Sequence, residues 1–240
     1  MGTKAHTILI TLVYVGLAIC ITGLLATALI DNFPHQVFGI AFFILFMGHL
    51  LLNRFWIRHS LIGRWDLQRV FLMIVDAALV LLSIAQIINC ILLSSFFWSM
   101  LPQQFAYFSS SLHMCVGTWI FVIAAVHFGL NANTLIGNKL HFDRAGNGKI
   151  YRNKNNALLL LVWLVLAGIG VYGIFEFFQL QMTHYMFMVE NAEVEINVPI
   201  VTRFFQYLCI GGAFVEIAHW LSVLVQRYKR KGSTALKDKA

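Results

Sequence analysis

The chain has 240 residues, 60% hydrophobic and 11% charged, with a net charge of +7. A soluble domain carries about 25% charged residues, so this composition excludes a soluble globular protein and describes an all-α integral membrane protein. Three prolines and no low-complexity run exclude a disordered chain.

Six stretches read as transmembrane helices: 7–30, 36–57, 70–93, 107–130, 157–178 and 200–224. Each is long enough to cross about 30 Å of hydrocarbon at about 1.5 Å per residue. Span 1 has a basic flank at Lys4 and a cleavage-like Ala26-Thr27-Ala28, but its apolar run exceeds a signal-peptide core of about 7–15 residues. An uncleaved helix is expected. The organisation reads as a four-helix bundle over 1–131, a basic loop over 132–156, two further membrane helices over 157–226 and a basic tail over 227–240. Segment 179–199 is expected to hold a short interfacial helix around Met182–Val189.

Sixteen of the seventeen Lys and Arg lie before span 1, between spans 2 and 3, between spans 4 and 5, or after span 6. Only Arg203 falls on the opposite side, with Asp31 and the acidic run Glu190, Glu193 and Glu195. The positive-inside rule therefore places both termini in the cytoplasm. The basic excess is a topology signal, and no nucleic-acid partner is implied; the partner of the helices is membrane lipid. Cys20, Cys90, Cys115 and Cys209 lie in apolar stretches and form no C-x-x-C or C-x-x-C-H motif. They read as reduced, apolar-like residues rather than metal or c-type haem ligands.

One pattern occurs twice. Along span 2 it is His35, Gly39, His49 and Asn53, beginning one residue before the span; along span 4 it is His113, Gly117, His127 and Asn131, ending one residue after it. Both fit H-x3-G-x9-H-x3-N, and both spans run in the same direction. Fourteen residues turn a helix to within about 40° of four full turns and advance it by about 21 Å. The two histidines of each helix thus share a face but cannot reach one metal. Ligation must run between helices, His35 with His113 and His49 with His127. Two histidines leave a zinc site incomplete. They complete a six-coordinate haem, in which the porphyrin supplies the other four nitrogens. A single intramembrane histidine has a simpler reading, a hydrogen bond across helices; four at two matched depths favour two haem b groups. Spans 1–4 then form a dihaem bundle, in which helices 2 and 4 are diagonal partners.

Gly39 and Gly117 lie one turn from the first histidine of each pair, where a side chain would strike a macrocycle; close helix approach is the alternative. Asn53 and Asn131 lie one turn beyond the second histidines and read as helix caps or as donors to a haem propionate. Arg54 and Arg58 are the nearest cations to the inner pair, and Arg203 is the only one on the outer side. Arginine recognises carboxylates bidentately, so Arg203 is expected at an outer propionate or at an anionic partner. Asp76, Glu216 and His219 form a candidate quinone or proton site, the alternative for Asp76 being an ion pair with an inner-face arginine such as Arg69.

The doubled H-x3-G-x9-H resembles the dihaem core of cytochromes b, whose second and fourth helices each supply two histidines at this spacing. With Asn53-Arg54-Phe55-Trp56 after the inner histidine, the pattern is most similar to the bacterial flavinylation-associated transmembrane cytochromes. The resemblance covers roughly residues 7–131. It implies bis-histidine haem b at both pairs and location in the bacterial inner membrane. It also implies electron transfer between a quinol or other donor and an outer redox partner, a flavoprotein or multihaem cytochrome. No flavin-attachment or dinucleotide motif is present in the chain itself. Two other classes compete: an oxidoreductase acting by itself, as a quinol dehydrogenase or a metal or superoxide reductase, and a haem-free proton or metal transporter.

Overall fold

In the computed structural model, the described residues are 3–28, 32–55, 62, 67–94, 100, 102–136, 156–189 and 198–237. They form helices α1 (Thr3–Thr27), α2 (Asn32–Leu52), α3 (Leu67–Leu92), α4 (Gln103–Ile136), α5 (Asn156–Gln179), the short α6 (Met182–Met186) and α7 (Ile200–Lys237). No strand occurs among the described residues. Five of these helices are long and apolar enough to cross a membrane: α1, α2, α3, α4 and α7. The apolar stretch described in α5 is shorter, Leu164–Gln179. The chain is an α-helical membrane protein by length and composition of its helices.

All three prolines stand at helix starts. Pro34 lies in the first turn of α2, where a missing N–H costs nothing. Pro102 and Pro199 directly precede α4 and α7, and their carbonyls accept the first helical bonds, from Ala106 and Arg203 at 3.1 Å each. No proline interrupts a span, so each apolar run stays helical throughout. α4 and α7 also run past the apolar segments expected from sequence, to Ile136 and Lys237.

Side-chain contacts fix the directions of the helices. His35 meets the Leu24 carbonyl and His49 meets Tyr14, so α2 runs antiparallel to α1. Ser109 meets Asn89 and His127 meets Asp76, so α4 runs antiparallel to α3. His35 faces His113 and His49 faces His127, so α2 and α4 are parallel. The doubled motif therefore stands in register.

α7 packs on both α1 and α4, and α5 packs on the far side of α7. Glycines permit these close crossings. A methyl at Gly129 of α4 would strike the Val215 carbonyl of α7, and one at Gly173 of α5 would strike the Cys209 carbonyl. The core of buried apolar side chains lies where α1, α4, α5, α6 and α7 meet, around Ala26, Phe121, Phe177, Met182, Tyr207 and Ile210. α2 contributes nothing to it: none of its residues is buried, and its close backbone partner is α1.

Candidate paired-histidine sites

α2 and α4 stand apart in backbone, yet their histidine rings approach. The ring centroids of His35 and His113 are 6.0 Å apart, and those of His49 and His127 are 6.4 Å apart. Two metal–imidazole bonds of about 2.0–2.1 Å and two ring radii of about 1.1 Å put the centroids about 6.3 Å apart across one metal. Both pairs meet that separation. Among the described residues no three His, Cys, Asp or Glu side chains converge on a common metal position. The donor sets are two separate pairs of imidazoles, which fit a group that brings four in-plane donors of its own.

Each histidine is oriented by a neighbour, and the other helix of its hairpin supplies at least one to each. Leu24 is among the last four residues of α1, and its carbonyl accepts a long bond from Thr27 Oγ1 at 3.4 Å while staying open to a second donor. His35 Nδ1 lies 3.0 Å from it and donates to it. That bond fixes the tautomer and leaves Nε2 for ligation. His49 is flanked by the Tyr14 ring at 5.4 Å and by the Asn53 amide, 3.5 Å from Nδ1. His127 Nδ1 lies 2.6 Å from Asp76 Oδ1 on α3, bent away from the ideal hydrogen-bond line. His113 faces Gln86 of α3, whose amide nitrogen lies 3.1 Å from Nδ1, with the Cys90 thiol 3.8 Å away. Gln86 Oε1 is buried without a partner; exchanging the amide oxygen and nitrogen would let it accept from His113 Nδ1.

The two asparagines make the same contact. Asn53 Nδ2 donates to the His49 carbonyl and Asn131 Nδ2 to the His127 carbonyl, each at 2.9 Å. The first closes the end of α2; the second lies within α4, five residues short of its end. The glycines differ. A methyl at Gly39 would make only ordinary contact with Leu24, whereas one at Gly117 would press on the Gln86 amide at 3.3 Å. Gly117 thus also makes room for the partner of His113.

The remaining sequence candidates divide by position. Asp76 meets His127. Arg69 donates to the Ile62 carbonyl at 2.6 Å. Glu216 lines a groove of about 400 Å³ with Leu166, Ala167 and Trp220, between α5 and α7. His219 Nδ1 is buried beside Trp220, without a hydrogen-bond partner among the described residues. Arg54 lies over the Phe55 ring at 4.9 Å, a cation–π contact. Arg58 lies outside the described residues, as do Asp31 and Glu190, Glu193 and Glu195.

Arg203 is buried, 5% exposed, near Tyr185 and Tyr207. Burial pushes the Tyr185 phenol up, against the opposing pull of Arg203. Its depth follows from the α4–α7 register. Phe121 meets Tyr207 and Gly211, and Gly129 meets Val215 and Ala218, so the two helices advance together. Extending that register by two turns sets Arg203 level with His113.

Two features escape the sequence reading. Glu176 of α5 is 6% exposed and accepts from Gln206 Nε2 at 3.0 Å. The i, i+4 pair Tyr172–Glu176, facing a glutamine on the last span, is the pattern that could have pointed to it. The expected interfacial helix is α6, but it is docked inward: the Met186 carbonyl accepts from Trp119 Nε1 at 2.9 Å and from the Cys115 thiol at 3.1 Å. Compared with known proteins, the chain matches no family model, no curated protein and no solved structure.

Proposed function

We propose that the chain is a transmembrane b-type dihaem cytochrome. It carries electrons between a quinol or other donor and a redox partner protein, a flavoprotein or multihaem cytochrome, on the acidic face. The observation that carries this reading is the separation of both histidine pairs, 6.0 and 6.4 Å between centroids, on two parallel helices. One haem b at each pair would supply a reversible one-electron Fe(III)/Fe(II) couple. In this reading the chain crosses a bacterial inner membrane six times with both termini cytoplasmic, and α5 makes the fifth crossing.

The protein's part is ligation and environment. His35 and His113 hold the outer site, His49 and His127 the inner one, about 21 Å away along the helices. Leu24 and Asp76 keep Nδ1 occupied on one histidine of each pair, and ligation falls to Nε2. Gly39 and Gly117 leave space beside the outer site. Arg203, level with His113, balances a propionate there; Asn53, Asn131, Arg54 and Arg58 serve the inner end. Glu216 and His219, with the groove beside them, fit a quinone or proton route at that end. Turnover of a small substrate by the isolated chain would favour the oxidoreductase reading instead.

The pairing has a direct test. His35→Ala and His113→Ala should each abolish the same one of two b haems, and His49→Ala and His127→Ala the other. Loss of different haems from His35→Ala and His113→Ala would overturn the assignment.

A further inference from the structure

The four histidines do not share one kind of partner. His35 meets a backbone carbonyl, His113 a neutral amide, and His49 a tyrosine ring and an asparagine. His127 meets a carboxylate, Asp76, at 2.6 Å. Asp76 is largely buried, 12% exposed, so water screens its charge poorly. The nearest described cation in sequence, Arg69, donates to the Ile62 carbonyl at 2.6 Å, and Arg54 lies over Phe55.

We propose that Asp76 is a positioning residue for the His49/His127 site, holding His127 by Nδ1 and setting the reduction potential there below that of the His35/His113 site. This rests on the dihaem reading. A bis-imidazole haem core carries one more positive charge when ferric than when ferrous. A fixed anion beside the ring nitrogen opposite the ligating one therefore favours the ferric form. A carboxylate on Nδ1–H also makes the imidazole a stronger donor, which acts in the same direction. Gln86 at the equivalent place beside His113 is neutral and does neither. The lower potential at the basic end is the order that electrons entering from that end require.

The test is a spectropotentiometric titration of the purified full-length chain, with His35→Ala used to identify the outer component. The wild type should titrate in two steps, the lower one belonging to the His49/His127 site. Asp76→Asn should raise the lower step and leave the upper one in place, and Asp76→Glu should restore much of the difference. Gln86→Glu should lower the upper step. Full haem content with both steps unmoved in Asp76→Asn, or a shift confined to the upper step, would overturn the proposal. If Asp76→Asn loses its inner haem, Gln86→Glu decides: an unmoved upper step counts against the proposal. Absence of haem from the wild type would instead remove the dihaem reading itself.

Discussion

Arg203 shows how one side chain can matter at a site it does not ligate. A guanidinium this buried needs partners, because an unpaired charge away from water is very costly. Tyr185 and Tyr207 lie near it, and its register matches that of His113. Arg203→Ala should therefore perturb the spectrum and lower the potential of the outer haem, with the inner haem unaffected; Arg203→Lys should retain part of the effect. Difference spectra and a redox titration check this, and an unchanged outer haem would remove the propionate role. The histidines were legible at this scale because a spacing of fourteen residues returns to nearly the same helix face. Their partners were not. Asp76 and His127 are 51 positions apart, and only the packing of α3 on α4 brings them together. Sequence position grouped Asp76 with Glu216 and His219 by depth; packing adds a contact with His127 that no spacing announces.

At the scale of elements, the antiparallel hairpins are built alike. α1 offers Tyr14 and the Leu24 carbonyl to the histidines of α2, while α3 offers Asp76 and Gln86 to those of α4. Helix boundaries within the apolar spans were readable from hydropathy. The docking of α7 on α1 and α4 was not, since spans 5 and 6 read from sequence only as two further membrane helices. What decides it is small-residue packing. Gly129 and Gly173 admit backbone carbonyls of α7 where any side chain would collide. Gly129→Val and Gly173→Val should each destabilise the protein by about 1–3 kcal/mol, the usual cost of overpacking. Thermal unfolding in detergent checks it. Gly48→Ala, with open space around its position, is the control expected to be neutral. Glu176 was missed because it lies near the end of its span, where a carboxylate reads as interfacial. Its burial comes from Gln206 on the neighbouring helix.

At the scale of the whole molecule, charge distribution and helix direction agree. Contacts make α1 antiparallel to α2, α3 antiparallel to α4, and α2 parallel to α4, the arrangement that sorting the basic residues requires. Reporter fusions after Lys237 should be active only as cytoplasmic fusions; activity of an exported reporter there would reverse the orientation. The central claim is that two histidine pairs hold two b haems. The reduced-minus-oxidised spectrum of the purified chain, with haem quantified per polypeptide, tests it most directly. The account predicts b-type bands and two haems per chain. A preparation that folds as a helical membrane protein, yet shows no such bands when expressed with ample haem, would contradict it.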